Sequence, residues 1–523
     1  MSLLVFLPSS SFFLPAYLSH LVTNKLHNQA QITYAIKHQN IAAVKFRLKQ
    51  VPEGSAKWLT LMFALSKTQG EAAYNLAKWY VEQANTSSNV DDKESTLNSA
   101  KMRFEQALRH GPIIIQSKSR IALARLHFNQ NKPLVAQSLI NGLAEQLSTD
   151  SKNMSELIEL IILEIDVAIT LGKTHVIDEK LQQSSHLLRQ TVKGRQLINT
   201  IEKFSIQGQI TNPTKRLKND FEVKKYNKCI SSLQLFATNL KHLNHLENLQ
   251  MAFKKQPLND IVCLAPPRYL PQQLITCHNE EDKAIECNEL AWKELSNTVT
   301  TRHVGLMLET GGANVHFGMM YFDINDTIDV FSHEVSHLLG FVDEYPLVKL
   351  HDKCTQVQQQ PFAHNIIVLK EFYHGEKSEI RDEIIKEIPW AKHISKQTPI
   401  LGKALGTEKT WRLGTPEKYK NATGLFIAES CEHSSTAQKQ KFNAYKPVNK
   451  STQLRYFNRD FPKEYIKILL EAPQRFLMPS FHYNIALALY HQGDIVEATN
   501  WLEQAVLWEH GVKRKKIIRQ GGL

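Results

Sequence analysis

From about residue 31 to residue 205, apolar side chains recur every third or fourth position, the period of an amphipathic helix. Ile210-Thr-Asn-Pro-Thr-Lys215, preceded by Gly208, interrupts this pattern and reads as a linker. Helical spacing resumes over about 227–254. Leu258 to Leu264 reads as a strand that Pro266 and Pro267 end. Another helix is expected over about 281–297. Two strand-like runs follow, His303 to Leu308 and Asn314 to Phe322, joined through Gly311-Gly312. They lead into a helix with Ile328, Phe331, Val335, Leu338 and Leu339 on its apolar positions. Asn325 or Asp326 would cap this helix, and Gly340 would end it. Residues 347–423 are polar and irregular, anchored by Cys354, Trp390 and Trp411, and from Pro473 onward the pattern is helical again. The order predicts an α+β chain with a helical domain over 31–205, a linker over 206–220, a mixed domain over 221–470 and C-terminal helices over 471–523.

Within the first helical stretch, small residues stand at fixed offsets. Ala77 and Tyr80 are followed by Ala100, Phe104, Ala107 and Pro112, after a polar insertion from Asn85 to Glu94. A second set runs Ala124, Ala136, Ile140 and Leu143. Small residues at such points let paired helices pack closely, and stacked pairs share one continuous core. These positions look like those of a tetratricopeptide-type solenoid, and Ala486, Gly493, Ala498, Leu502 and Ala505 look like one more repeat. An ordinary helical bundle is the alternative. Such an array most often binds a peptide or a partner protein.

The candidate chemistry lies in Phe331-Ser-His-Glu-Val-Ser-His-Leu-Leu-Gly-Phe-Val-Asp-Glu-Tyr345. His333 and His337 are four residues apart, so one helix face carries both imidazoles. Two nitrogens there can bind one Zn²⁺, and Glu334 between them is free to act as base toward a water held by the metal. Asp343 follows the Gly340 turn by three residues, where a third ligand is expected, and Glu344 is the alternative. An edge strand beside such a helix binds substrate backbone by strand addition, and the run ending at Phe322 is the candidate.

Composition adds three constraints. Hydrophobic content of 42% and charged content of 22% over 523 residues are those of a globular chain of more than one domain. The formal charge of +12 is spread thinly, with one dense cluster at Lys513-Arg-Lys-Lys516, so nucleic-acid binding is not expected. All six cysteines, Cys229, Cys263, Cys277, Cys287, Cys354 and Cys431, fall in the segment that carries the motif. An even count confined to one domain points to disulfides and an oxidising compartment, periplasmic or secreted. Cys277–Cys287 and Cys354–Cys431 are the expected pairs, with Cys229–Cys263 as the remainder. Residues 1–30 hold two short apolar runs split by Pro8, read as a signal peptide or an anchor, and any membrane association is expected there alone.

Four stretches in order, HEVSHLLGFVDEY, then Gly424-Leu-Phe426, Tyr445-Lys-Pro447 and Thr452-Gln-Leu-Arg-Tyr456, resemble the IgA-peptidase-like zinc metallopeptidases of the metzincin clan. The resemblance covers roughly residues 225 to 470 and implies a metzincin-like peptidase domain. It departs in two places. The family often has one more residue between the second His and the Asp, and Leu454 stands where a Met forms a packing floor beneath the metal. In other metzincins a Tyr two residues after that Met reaches the metal or the oxyanion, a position Tyr456 holds here. The resulting expectation is a zinc endopeptidase with His333, His337 and Asp343 as ligands, Glu334 as base and Tyr456 as oxyanion support, acting on a protein or peptide substrate. The rival expectation is a non-catalytic helical-repeat scaffold with a structural zinc site.

Overall fold

The computed structural model describes residues 40–147, 153–204, 229–281, 283–348, 361–403, 409–434 and 442–522, with Ala16, Thr33, Ile36, Lys37, Ile206, His351 and Cys354 besides. Single residues apart, the expected leader over 1–30 and linker over 206–220 lie outside them. The chain is mixed α+β and forms two compact units, Met1–Thr200 and Ile201–Leu523.

The first unit is helical among its described residues. Helices Gly70–Thr86 and Val90–His110 form an antiparallel pair, because the start of one meets the end of the other at two glycines. A Cβ on Gly70 would stand 2.2 Å from the Gly111 Cα, so no larger residue fits. Ala77, Ala100, Phe104 and Ala107 are at most 1% exposed, and Ala124, Ala136, Ile140 and Leu143 share a core with Leu160, Leu163 and Val167. The polar insertion is shorter than expected. Only residues 87–89 separate the two helices, and Val90–Glu94 is helical. Asn89 accepts a hydrogen bond from the Asp91 N–H, and Asp91 and Asp92 sit where the helix dipole favours acidic side chains.

The second unit is built on a five-stranded sheet. Its strands are β1 (Ser231–Ala237), β2 (Val262–Tyr269), and, after a small hairpin of β3 (Cys277–His278) and β4 (Glu286–Cys287), β5 (His303–Leu308), β6 (Asn314–His316) and β7 (Met319–Asp323). The order is β2-β1-β5-β7-β6, with all pairs parallel except β6–β7. Several expectations need correcting here. The helix expected over 227–254 is β1 followed by a helix at Leu240–Phe253. All seven β1 residues are buried, so the strand shows no alternation. Pro266 and Pro267 lie inside β2 instead of ending it. β2 is an edge strand that needs no outward N–H groups, and the prolines fall at an irregularity where Gln234 pairs with Ala265 but Phe236 pairs with Arg268. The helix expected over 281–297 shrinks to Trp292–Ser296, because the Cys277–Cys287 hairpin occupies its first part.

The run from Asn314 to Phe322 is a hairpin and not one strand. Phe317 and Gly318 have φ of 42° and 86°, the left-handed pair of a two-residue turn. The free edge therefore belongs to β6, while β7 is enclosed between β5 and β6.

Residues 347–423 hold more structure than their composition suggests. β8 (Ile367–Lys370), β9 (Phe372–His374), β10 (Leu401–Lys403) and β11 (Thr410–Leu413) are joined by β12 (Phe426–Ala428) and β13 (Phe442–Lys446) into two antiparallel three-stranded sheets, β10-β11-β9 and β12-β13-β8. Strands this short, paired with distant segments, carry no periodic signal. Gly424-Leu-Phe426 and Tyr445-Lys-Pro447 are ladder neighbours. Phe426 pairs with Lys446, and the Gly424 N–H donates to the Pro447 carbonyl at 2.9 Å.

Helices Phe481–His491 and Ile495–Val506 complete the core of this unit. Phe481, Ile485, Leu489 and Ala498 pack with Phe236, Trp292, Val304, Leu306 and Tyr321. Arg302, just before β5, donates to the Met478 carbonyl and pairs with the buried Glu509 at 2.6 Å.

Three disulfides, Cys229–Cys263, Cys277–Cys287 and Cys354–Cys431, leave no free cysteine. They fit an oxidising, extracytoplasmic environment. No helix among the described residues is long and apolar enough to cross a membrane.

Burial also fixes how the second unit should respond to acid. Burial, with Arg302 beside it, pushes His303 down to about 3; burial and Arg475 take His364 to about 3, and burial takes His482 to about 4. All three are held neutral in the fold and ionise in the unfolded chain near 6.5. The unfolded state thus binds more protons below that pH, and stability is lost as pH falls from about 6.5 toward 4, by up to about 1.4 kcal/mol per pH unit for each histidine. Thermal scans from pH 7.5 to 4.5 should show a steadily falling midpoint. A flat profile would show that these imidazoles reach solvent.

Candidate metal centre

The motif helix spans Ile328–Leu338 and rests on the sheet through Phe331, whose ring meets the edges of Phe253 and Phe322 at 5.5 Å. Its N-cap is Thr327 and not Asn325 or Asp326. The Asp323 carboxylate accepts the Asn325 and Asp326 N–H groups, and Asp326 accepts the Asp323 N–H, so both are committed to the turn before the helix. Thr327 Oγ1 is left to accept the Val330 N–H. Gly340 ends the helix as expected. Its φ is 90°, and a Cβ there would stand 2.2 Å from the Phe476 carbonyl oxygen.

His333, Glu334 and His337 place one ligand atom each within 4.8 Å of one another. The two imidazole Nε2 atoms are 3.0 Å apart. The turn after Gly340 brings Asp343 Oδ1 to 3.1 Å from His333 Nε2 and 3.2 Å from His337 Nε2. Nδ1 of His333 faces the Gln453 carbonyl at 2.9 Å, and Nδ1 of His337 faces the Phe341 carbonyl at 3.0 Å. A carbonyl only accepts, so each Nδ1 carries the proton and each neutral ring turns the Nε2 lone pair inward. Two lone pairs and a carboxylate oxygen then converge, an arrangement that repels itself unless a cation lies among them. Asp343 Oδ1 is buried without a hydrogen-bond partner. Tetrahedral zinc with ligands near 2.0–2.1 Å has ligand–ligand edges of about 3.3 Å, close to the three separations here. The residues fit such an ion.

In the metal-free chain a proton on His337 takes the place of that cation. Burial works against charge on His337, yet Asp343 and Glu334 outweigh it and push its pKa up to about 9. Burial also opposes charge on Asp343, but His337 and His333 hold its carboxyl well below the usual range. Glu334 is 5% exposed, and burial raises its carboxyl against the pull of the two imidazoles.

The alternative ligand Glu344 points elsewhere. Its carboxylate meets Lys446 Nζ at 2.6 Å and accepts from the hydroxyl of the fully buried Tyr465. The Glu344 N–H donates to the Leu454 carbonyl at 2.9 Å, and Ser430 Oγ donates to the Asp343 carbonyl at 2.7 Å. Adjacent acids thus split, Asp343 toward the imidazoles and Glu344 into a buried ion pair. Leu454 is completely buried in the loop that also supplies the Gln453 carbonyl to His333.

Breaking this ion pair from one side should leave a buried charge unpaired, at a cost of about 3–5 kcal/mol. Lys446→Met is therefore expected to lower the melting temperature strongly, and Lys446→Met with Glu344→Gln should recover much of the loss. No recovery in the double variant would mean that the pair is not the cause.

Tyr456 is 45% exposed, with the Arg455 guanidinium 4.3 Å from its ring centroid, and its hydroxyl makes no hydrogen bond among the described residues. Its neighbour Phe457 meets the His333 ring edge-on at 4.7 Å. Tyr345, to which the sequence reading gave no role, lies closer to the ligands. Its ring is nearly parallel to His333 at 6.5 Å, and burial, with Asp343 beside it, pushes its hydroxyl pKa up. Its place in the Asp-Glu-Tyr run was the available signal, but spacing alone does not show which of the three turns inward. The supports Gln453, Ser430 and Lys446 are 87 to 120 residues from the groups they hold, and local pattern could not reveal them.

Comparison with protein-family models, with curated proteins and with solved structures finds no match to this chain.

Proposed function

We propose that the chain is a zinc-dependent endopeptidase of the metzincin type, periplasmic or secreted. The tetratricopeptide-like helices bind its protein substrate or a partner. The observation that carries the reading is the convergence of His333 Nε2, His337 Nε2 and Asp343 Oδ1 at 3.0–3.2 Å beside the buried Glu334 carboxylate. Three protein ligands with a spare carboxylate suit an open catalytic site better than a closed structural one, which takes four.

Zinc held by His333, His337 and Asp343 supplies Lewis acidity, lowering the pKa of water toward about 7 and polarising the scissile carbonyl. The chain supplies the rest. The Gln453 and Phe341 carbonyls keep both imidazoles in the ligating tautomer. Glu334 accepts a proton from the attacking water and delivers it to the leaving amine nitrogen as the C–N bond breaks and the C–O bond forms. The β6 edge is the place for substrate backbone, since the motif helix packs beside β6 and β7. The Asn484 amide already donates to the His316 carbonyl at 3.1 Å, so that end of β6 is partnered within the chain.

The test is cleavage profiling of the purified, zinc-loaded chain against a proteome-derived peptide library. New N-termini that vanish on chelation are expected. Stoichiometric zinc with no cleaved bond would favour the scaffold.

A further inference from the structure

We propose that the Cys354–Cys431 disulfide is the clasp that holds Asp343 at the metal, acting through Ser430, so that the site binds zinc tightly only in a chain that has been oxidised. The proposal rests on the metal-centre reading and not on what the centre cleaves.

Asp343 is the one ligand of the three outside the motif helix, on the turn that runs from Gly340 to Leu347. Its place therefore depends on what holds that turn. The buried Ser430, next to Cys431 in sequence, grips the turn twice. Its Oγ donates to the Asp343 carbonyl at 2.7 Å, and its own carbonyl accepts the Leu347 N–H at 2.9 Å. The first of these is the sole hydrogen bond to the Asp343 backbone among the described residues. Cys354 Sγ lies 3.6 Å from the same Ser430 carbonyl oxygen. Val342 and Leu347, on either side of the ligand in sequence, pack against the buried cluster that contains Cys354, Cys431, Ile366 and Ala428. The disulfide thus lies in the core behind the ligand turn and fixes the residue that is bonded to it.

The other supports hold other parts of the turn. Asn365 pairs with both backbone groups of Val342, and the Glu344 N–H donates to the Leu454 carbonyl. Ser430 itself stands in a short 3₁₀ turn, Glu429–Ser434, whose other tie is the partly exposed ion pair of Glu429 with Arg455. Cys354 and Cys431 are 77 residues apart, and closing so long a loop covalently removes chain freedom that packing would otherwise have to overcome. Both cysteines are buried, out of reach of an attacking thiolate once the chain has folded, so the clasp is set during folding. It forms when the two thiols give up two protons and two electrons to a disulfide oxidant, which becomes a pair of thiols. A chain that folds in a reducing compartment keeps both thiols, lacks the clasp and holds zinc weakly.

The oxidised full chain is compared with three variants: Cys354→Ser with Cys431→Ser, Cys277→Ser with Cys287→Ser, and Ser430→Ala. Zinc affinity is read by chelator competition well below the melting temperature. Ligand geometry is read from the visible absorption of the cobalt-substituted protein, and folding from circular dichroism. Loss of the clasp should weaken zinc binding about 10–100-fold, the scale of a lost support behind a metal ligand, and should alter the cobalt spectrum. Ser430→Ala, with its disulfide intact, should shift affinity and spectrum in the same direction. Loss of the hairpin disulfide Cys277–Cys287 should leave both near the parent values. A folded clasp variant with parent zinc affinity would overturn the proposal, and so would an equal zinc defect in the hairpin variant. If the clasp variant does not fold, Ser430→Ala decides, and parent affinity there overturns the proposal. These outcomes leave the metal centre standing, whereas an oxidised parent chain that takes up no zinc sinks the centre and this inference with it.

Discussion

Glu334→Gln should abolish peptide-bond hydrolysis while leaving the protein folded and metal-loaded. The substitution keeps the side-chain size and removes the basicity. Glu334 lies on the motif helix between the two imidazoles, 5% exposed and within 4.8 Å of both ligating nitrogens, yet it is not one of the three atoms that converge most tightly. A carboxylate so placed serves proton transfer more than coordination. General-base catalysis contributes on the order of 10²–10⁴ in rate, and a loss of that size in kcat is expected. Zinc content and thermal midpoint should stay near the parent values, because an amide can occupy the same space. His333→Ala should lose metal and activity together. Full activity in Glu334→Gln would mean that another group moves the proton.

Asp343→Ala should cost zinc affinity and activity in parallel. Removing an outer partner of a metal ligand typically weakens binding 10–100-fold, and removing a ligand should exceed that, so a loss of at least about 10²-fold is expected. Glu344→Ala is the informative comparison. Glu344 faces Lys446 and Tyr465, so its loss should lower stability by leaving Lys446 buried without its partner, with a smaller effect on zinc affinity measured well below the melting temperature. Chelator competition on both variants reads the difference. A larger zinc defect in Glu344→Ala would move the ligand assignment one residue along the turn.

Much of the site was legible because it is local. His333, Glu334, His337, Gly340 and Asp343 lie within eleven consecutive residues, and helical spacing plus a glycine turn dictates most of their geometry. The choice between Asp343 and Glu344 was not legible, since it depends on Lys446 and Tyr465, far along the chain. The helical half was readable from small residues, Ala77, Ala100, Ala124 and Ala136, whose burial follows from close helix packing. The sheet was harder. β1 has no polar face and resembles helix in composition, and β2 carries two prolines that only an edge position tolerates. The split of Asn314–Phe322 turned on Phe317 adopting φ of 42°, a conformation that composition does not announce. The cap fell on Thr327 because Asp323 and Asp326 bind each other's backbone, a reciprocal arrangement that single-residue preferences miss.

Under the proposed function, one metal ion held by His333, His337 and Asp343 makes this chain a peptidase. Titrating metal-free protein with zinc while following both occupancy and cleavage of a quenched peptide library tests it most directly. Cleavage is expected to rise in proportion to occupancy and to level off at one zinc per chain. Cleavage that persists without metal, or none at full occupancy, would contradict the account.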